Sequence, residues 1–262
     1  MHIPARFPFS LRRPAVLLAL VALAWGAPLV ACHSPGPTPV LARELQPIQL
    51  PQPQITAGMP LMQALAKRQT TRAFLDQPLP LQTLSNLLWA AFGVNRPREV
   101  KPGLGRTAPS AMNSQDIELD VVLASGVYVY EAEANRLRPV LAGDIRAKIG
   151  APPADHAAVT IVYVAAAKDG WAQVDTGFIG QNVYLFAASE GLNAWFYSFH
   201  SSQETAAAAA ALKLPEGRQP LYAQSVGYRP SSAIFGGGPV SRWPIIQEHL
   251  ITEPCGEAHR LG

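Results

Sequence analysis

The chain has 262 residues, of which 48% are hydrophobic and 15% are charged, and its formal net charge is +3. A chain of this length and apolar content can bury a sizeable core in one or two domains. Lys and Arg are not concentrated in any run of the sequence, which argues against a nucleic-acid-binding surface.

The N-terminal segment has the organisation of an export signal. Basic residues between Arg6 and Arg13 precede an apolar stretch, residues 15–27, that is too short to span a membrane but suits the core of a signal peptide. The stretch leads into Leu-Val-Ala-Cys at residues 29–32, which resembles the lipobox of bacterial lipoproteins. This resemblance implies cleavage before Cys32 and lipid attachment to it. We therefore expect residues 1–31 to be a lipoprotein-type signal peptide and the protein to be anchored on the periplasmic side of the membrane.

Two alternatives stay open at this end of the chain. An ordinary cleaved signal with a chance cysteine would give a soluble periplasmic protein, and Arg12-Arg13 is a partial match to a twin-arginine export signal. If Cys32 carries lipid, Cys255 has no partner, so we expect no disulfide framework. The cysteines and the six histidines show no metal-ligand spacing, so we expect no metal site.

The next part of the chain is predicted to be a tether followed by one folded domain. Residues 32–57 are rich in Pro and Gln, which favours extended conformations and cannot build a core. The folded domain is predicted at residues 58–262. Pro60 suits the first turn of a helix that continues to about Lys67, and 3-4 apolar spacing predicts a second helix over 81–92. Residues 94–115 are predicted to be loop.

Strands and helices are interspersed in the rest of the domain. Strands are predicted at 117–123 (half-buried), 127–130, 158–166 (central), 193–199 and 221–227. Helices are predicted at 176–190 and 203–212. Because the two types do not alternate strictly, we expect an α+β fold rather than a doubly wound parallel sheet.

A basic octet, residues 67–74, is the first candidate binding segment. If the chain extends after Arg68, then Arg68, Thr70 and Arg72 point to one side at a period of two. Two guanidinium groups with a hydroxyl between them suit a phosphate dianion. The alternative is a solvated helix end whose basic residues interact with the helix dipole.

A second candidate segment runs from Arg106 to Gln115. Its Pro, Ser and Asn residues present backbone groups and short polar side chains that can hold the edge of a planar heterocycle. Taken alone, the segment is more typical of an ordinary turn than of a binding loop.

The two segments together resemble the nitroreductase superfamily and, more closely, its SagB-type dehydrogenase branch. The matching blocks appear in order as Arg68-x-Thr70-x-Arg72, Leu88-Trp89-Ala90-Ala91-Phe92-Gly93, Arg106-Thr107-x-Pro109-Ser110-Ala111, Gly126-Val127-Tyr128-x-Tyr130, Gly180-Gln181-Asn182-Val183-Tyr184-Leu185 and Val226-Gly227-Tyr228. The resemblance extends from about Met59 to Arg242. It implies a nitroreductase-like α+β fold, with a central, mostly antiparallel sheet flanked by helices, and a dimer with shared sites.

The resemblance also implies FMN as the cofactor and a role for each site residue. Arg68, Thr70 and Arg72 would bind the FMN phosphate and ribityl chain, and Arg242 would supply a further phosphate contact. Pro109, Ser110, Ala111 and Asn113 would reach the flavin from the other protomer. Phe196, Tyr197 and Ser198 match the strand end whose backbone N–H groups face flavin N5 and O4.

The predicted dimer has a second basis in the helix at 176–190. Gly177, Gly180, Ala187 and Ala188 leave a small-residue surface on which another backbone can approach closely. Intramolecular packing of the same helix is the alternative.

The sequence departs from the family pattern at three places. Ser198-Phe199 stand where many relatives have Glu-Gly, and Val240 stands where a common relative has a phosphate-binding Lys. The Lys-Tyr pair of azoline-oxidising SagB-type enzymes is absent from the short link at residues 168–171, which puts azoline dehydrogenation in doubt.

These implications predict an FMN-dependent oxidoreductase that transfers hydride through flavin N5 by a ping-pong mechanism. Because NAD(P)H is not expected outside the cytoplasm, we expect a small-molecule or peptide-borne substrate and an oxygen or quinone-linked acceptor. Two alternatives stay open: an NAD(P)H-dependent nitro or quinone reductase, and a non-catalytic lipoprotein binding module with a decayed flavin site. The sequence does not identify the physiological substrate.

Overall fold

A computed structural model of the protein describes residues 44–96, 105–149, 154–166 and 170–230. The predicted signal peptide, the lipidation site at Cys32, and Val240 and Arg242 lie outside these residues. No helix in the described part of the chain is long and apolar enough to cross a membrane.

A seven-stranded sheet forms the centre of the domain. Its strands are β1 (Ile48–Gln49), β4 (Glu118–Leu123), β5 (Gly126–Glu131), β6 (Arg136–Ala142), β7 (Val159–Ala166), β8 (Asn193–Ser198) and β9 (Arg218–Gly227). They are arranged in the order β1-β6-β5-β4-β7-β9-β8, and every neighbouring pair is antiparallel. The prediction of an α+β fold with a mostly antiparallel sheet is confirmed. The strand predicted to be central, β7, lies between β4 and β9, and β8 forms one edge of the sheet.

Both faces of the sheet are covered. Apolar residues of α2 (Leu81–Phe92) and α4 (Ala172–Ser189) pack on one face, and α5 (Ser202–Leu212), the short α3 (Arg146–Ile149) and Phe74 pack on the other. Strand β4 was predicted to be half-buried, but Asp120 and Val122 on its second face are buried as well. The alternating pattern in the sequence could not show that helices later in the chain would cover that face.

The helices follow the predicted pattern closely. Helix α1 (Leu61–Lys67) begins after Pro60, and α2 has the predicted bounds and ends at Gly93. Helix α4 starts four residues before its predicted start and is followed by Gly191, whose φ of +69° is the left-handed conformation that glycine adopts at helix ends. The Ser201 hydroxyl caps α5 by accepting the N–H of Glu204 at 3.1 Å.

The second half of the predicted tether packs onto the domain instead. Strand β1 pairs with β6, Leu50 is 2% exposed, and the Pro51 carbonyl accepts hydrogen bonds from Ser85 and Asn135. The prediction of a tether was wrong for this part of the chain. The prolines argue against a core segment, but a strand at the edge of a sheet is held by backbone pairing on one side only and tolerates prolines beside it.

Two further elements were missed. Residues 94–115 were predicted to be loop, but β2 (Val94–Arg96) pairs antiparallel with β3 (Gly105–Arg106). Strand β6 was not predicted, because its exposed arginines and Pro139 hide the alternation around the buried Leu137.

Candidate functional site

The basic segment runs along the outer edge of β8, the side that faces away from β9. Helix α1 ends at Lys67, and Arg68 has a ψ of 124°, so the chain leaves the helix there as predicted. The Thr71 N–H then donates to the Ala194 carbonyl at 2.9 Å, and the Leu75 N–H donates to the Tyr228 carbonyl at 3.0 Å. The segment therefore passes the outer edge of β8 and crosses the end of the β8–β9 pair.

Two aromatic side chains hold the three predicted phosphate-binding residues. The Thr70 hydroxyl lies 3.0 Å from the Tyr184 hydroxyl, and the Arg68 guanidinium carbon lies 5.4 Å from the centroid of the Tyr184 ring. The Arg72 guanidinium carbon lies 5.2 Å from the Trp195 ring centroid. The structure thus brings Arg68 and Thr70 together at Tyr184 of α4, which packs with the core of the first sheet face. Arg72 lies apart from them at Trp195 of β8, whose ring packs with the core of the second face.

The edge of β8 carries outward-facing backbone groups. The Phe196 N–H donates to the Tyr184 hydroxyl at 2.9 Å, and the Ala194 carbonyl accepts from Thr71, so the even-numbered residues face away from β9. In an antiparallel ladder this alternation directs Ser198 outward and Tyr197 toward β9.

Tyr197 therefore differs from its prediction as a residue whose N–H faces the flavin. Its side chain is buried in the core of the second face, with its hydroxyl 3.3 Å from Ser225. Burial raises the pKa of this hydroxyl, which keeps it protonated. Tyr197 is a core residue behind the strand edge. On the edge itself the Phe196 N–H, also predicted to face the flavin, is taken by the Tyr184 hydroxyl, so Ser198 alone of the three predicted residues has an outward N–H that is not used in this way.

The second predicted segment is fastened to the end of α2. The Arg106 guanidinium lies 4.7 Å from the Phe92 ring centroid and donates to the Phe92 carbonyl at 3.2 Å and to Gln115 at 2.8 Å. The Thr107 hydroxyl donates to the Trp89 carbonyl at 3.0 Å. Burial lowers the pKa of Arg106. These bonds satisfy carbonyls at the helix end and explain the Arg-Thr pair of this block.

The loop beyond this pair has a strained backbone. Met112, Asn113 and Gln115 have φ values of +53°, +57° and +53°, a conformation that costs energy for residues other than glycine. The Ser110 hydroxyl accepts the Gln115 N–H at 2.8 Å, and the Asn113 side-chain oxygen accepts from Gln115 at 2.9 Å. Pro109 is exposed, and Met112 is 92% exposed. Hydrogen bonds within the loop therefore fix its conformation, and its tip is exposed to solvent.

Helix α4 separates the two segments within one chain. The Ala111 N–H donates at 2.8 Å to Asp175, a buried carboxylate in the first turn of α4, whereas Thr70 contacts Tyr184 further along the same helix. An α-helix rises about 1.5 Å and turns about 100° per residue, so Asp175 and Tyr184 lie about 13.5 Å apart along the axis of α4 and about half a turn around it from each other. One chain therefore does not bring the basic segment and the loop to one place.

The small residues of α4 also divide between two environments. A Cβ at Gly180 would lie 2.8 Å from the Phe196 ring, and Ala187 is buried in the core. A Cβ at Gly177 would meet nothing within 4 Å. Intramolecular packing thus accounts for Gly180 and Ala187, and Gly177 lies on the exposed side.

A cavity of about 1010 Å³ adjoins the basic segment between the ends of α1 and α4. Lys67, Arg68, Tyr184 and Arg229 are among the residues that line it. Arg229 donates to Asn193 at 3.3 Å, and Asn193 in turn donates to the Ala73 carbonyl at 2.6 Å. Arg229 was not predicted from the sequence, because the turn after a last strand gives no indication of which cations lie beside it in space.

Tyr184, Trp195 and Asp175 were also missed as site residues. Tyr184 and Trp195 read as core aromatics in the sequence, and Asp175 as a favourable charge in the first turn of a helix. Their roles depend on which backbone segments fold against them, and one sequence does not show this.

A buried carboxyl lies on the second face of the sheet, apart from this site. Asp120 is 1% exposed, and its Oδ1 atom has no hydrogen-bond partner among the described residues. Burial and the nearby Glu118 raise its pKa to about 7, against the opposing effect of Arg218 and Arg138.

Comparison with known proteins connects this geometry with one family. Residues 65–228, more than half of the chain, match the nitroreductase family. A Methanocaldococcus jannaschii protein named as a nitroreductase is 30% identical over 151 residues, which cover 50% of this chain and 75% of that protein. A crystal structure from Ralstonia eutropha JMP134, also named as a nitroreductase, is 34% identical, with a TM-score of 0.63 over 71% of this chain and 90% of that chain. A chain of the E. coli microcin synthetase McbBCD complex shares the fold at 20% identity, with a TM-score of 0.52 over 63% of this chain and 70% of that chain. The predicted nitroreductase-like fold is confirmed.

Proposed function

Because the chain belongs to the nitroreductase family, which indicates an oxidoreductase, we propose that it is an FMN-dependent enzyme similar to the SagB-type dehydrogenases. One observation carries the proposal. Arg68 and Thr70 at Tyr184 and Arg72 at Trp195 lie along the outer edge of β8, where Ser198 follows Phe196 as the next residue with an outward N–H, so phosphate donors and a backbone donor lie on one strand edge. A flavin mononucleotide presents the matching pair of features, a phosphate dianion and a planar ring with hydrogen-bond acceptors along one edge.

The donor set fits this cofactor. Arg68 and Arg72 offer permanently charged, planar donors to a phosphate, and the exposed Thr70 adds a hydroxyl. Ser198, on the outward side of β8, offers an N–H for the ring edge. FMN bound there would supply hydride transfer at N5. The protein would position the flavin ring and provide the electrostatic environment around it.

Two chains would complete each site. The separation of the loop from the basic segment across α4 favours a homodimer in which Pro109, Ser110, Ala111 and Asn113 reach the partner's flavin. The exposed apolar side chains Trp171, Val174 and Phe178, at helical spacing beside the open Gly177, support an interface along this part of α4.

Coexpression of two defective variants tests the shared sites. One variant carries Arg68→Ala with Arg72→Ala, and the other carries Ser110→Ala with Asn113→Ala. Random pairing would restore FMN in about a quarter of all sites, because each mixed dimer regains one intact site. If coexpression restores none while each variant is folded, the site lies within one chain.

The predicted export signal bears on the reaction that we propose. With Cys32 lipidated on the periplasmic side, the enzyme would oxidise a small-molecule or peptide-borne substrate and pass the electrons to oxygen or a quinone-linked acceptor. Substrate and acceptor would use the site in turn, so initial rates at several acceptor concentrations should give parallel double-reciprocal lines. Fractionation of the native host tests the location: a soluble cytoplasmic protein would contradict it and favour an NAD(P)H-dependent nitro or quinone reductase.

The cofactor is tested on the purified full-length chain. We expect yellow protein with the absorption bands of oxidised flavin, and we expect Arg68→Ala with Arg72→Ala to lose FMN while the far-UV circular dichroism stays unchanged. Arg136→Ala, at an exposed arginine on β6 away from the basic segment, is the matched control and should retain FMN. Wild-type protein that stays colourless with excess FMN would refute the proposal and leave a binding module with a decayed site.

A further inference from the structure

Tyr184 joins the two halves of the proposed FMN site. Its ring lies under the Arg68 guanidinium at 5.4 Å, its hydroxyl lies 3.0 Å from the Thr70 hydroxyl, and it accepts the Phe196 N–H at 2.9 Å. One half-buried side chain thus contacts the basic segment and the outer edge of β8 at once.

A count of the hydrogens at this point identifies a free donor. The two hydroxyls of Tyr184 and Thr70 carry two hydrogens, and the bond between them uses one. The Phe196 N–H fills one lone pair of Tyr184 and uses neither hydrogen. Whichever hydroxyl donates to the other, one O–H remains for a third group, and neither hydroxyl has a further partner among the described residues.

The bond from Phe196 also fixes where this donor lies. Because a strand residue in the sheet holds Tyr184, the hydroxyl pair is positioned by rigid backbone rather than by the flexible Arg side chains. The donor is placed between the guanidinium of Arg68 and the edge of β8, where a cofactor spanning both would carry its phosphate and its polyhydroxyl chain.

We infer that Tyr184 is a positioning residue for FMN: it orients Thr70 so that the pair presents one O–H to a phosphate or ribityl oxygen, and it keeps the basic segment at a set distance from β8. This inference rests on the proposed FMN function. Tyr184 acts as one member of the hydroxyl pair with Thr70, is held in place by the Phe196 N–H, and has no chemical step of its own.

The test is a double-mutant cycle on the affinity for FMN, measured by fluorescence titration of full-length protein freed of flavin. The variants are Tyr184→Phe, Thr70→Val and the double substitution. Each single change should weaken FMN binding by roughly tenfold to a hundredfold, the range for one hydrogen bond to a charged group. The double variant should bind little worse than the weaker single variant, because each single change already breaks the hydroxyl pair that directs the free O–H.

Two controls separate positioning from general damage. Tyr222→Phe removes a hydroxyl from a ring stacked on Phe196 at 5.0 Å, without touching the Thr70 pair, and should leave the affinity unchanged. Thr70→Ser keeps the hydroxyl and should retain most of the affinity. The melting temperature of the flavin-free Tyr184→Phe protein should stay close to wild type.

The outcomes distinguish this inference from the function on which it rests. If Tyr184→Phe binds FMN as tightly as the wild-type protein does, the inference is overturned and the proposed function still stands. Additive effects in the double variant would show that Tyr184 does not act through Thr70, and would also overturn it. Wild-type protein that binds no FMN would overturn both.

Discussion

The buried carboxyl of Asp120 gives the protein a pH-dependent stability that one substitution should remove. The side chain is 1% exposed on the second face of the sheet, with Glu118, Arg218 and Arg138 as its charged neighbours. Its pKa is raised from 3.8 to about 7. Between these values the folded state holds a proton that the unfolded state has released, so stability falls as the pH rises.

The size of the effect follows from the shift. At about 1.4 kcal/mol per pH unit, ionising Asp120 in the folded protein costs about 4 kcal/mol of unfolding free energy between about pH 4 and pH 7. Above about pH 7 the loss is complete and constant. Asp120→Asn has the same shape and does not titrate, so it should match wild type near pH 4 and exceed it by up to about 4 kcal/mol at pH 8.

The assay compares urea unfolding of wild type and Asp120→Asn at pH 4.5 and pH 8, because subtraction at each pH cancels the titration of the groups that do not interact with Asp120. Asp116→Asn makes the same change of side chain at an exposed position shortly before β4 and is the matched control, against which the effect of Asp120→Asn is compared. A difference between wild type and Asp120→Asn that is equal at the two pH values would refute the argument.

Three further substitutions test the packing around the site. Gly180→Ala should destabilise the domain by about 1–3 kcal/mol, because the added Cβ would lie 2.8 Å from the Phe196 ring; thermal melting measures the loss. Gly177→Ala, where an added Cβ meets nothing within one chain, should stabilise an isolated chain by up to about 1 kcal/mol, whereas a loss of stability in the dimer would support the interface proposed along this part of α4. Ser201→Ala should cost about 1 kcal/mol by removing the cap on the Glu204 N–H, and an unchanged unfolding free energy would show that water replaces it.

Local patterns in the sequence predicted most of the fold. Helix α2 was predicted to the residue, because 3-4 apolar spacing and Gly93 define its face and its end. Strand β7 was recognised from a continuous apolar run, which is what a strand covered on both faces requires. Strands β1 and β6 could not be found in this way, because they are held by backbone pairing and carry few buried side chains.

The site was predictable only in part, for a similar reason. Arg68, Thr70 and Arg72 stand at a period of two in an extended segment, which the sequence shows directly. Tyr184 lies more than a hundred residues away, and its hydroxyl gains a role only when that segment passes α4. The direction of Tyr197 depended on which side of β8 pairs with β9, and strand alternation alone leaves that choice open.

Strand β1 has a consequence for any shortened form of the protein. The chain from Leu45 to Pro51 covers the start of β6 and fills the space beside Gly126, where a Cβ would lie 2.9 Å from the Leu45 side chain. A fragment that begins at residue 57 would uncover the β6 backbone at Arg136 and Leu137, which β1 pairs with, and so lengthen the edge that is open to pairing with strands of other molecules. Fragments that keep residues 44–56 should stay monodisperse where shorter ones aggregate, so the N-terminal arm protects the sheet from self-association.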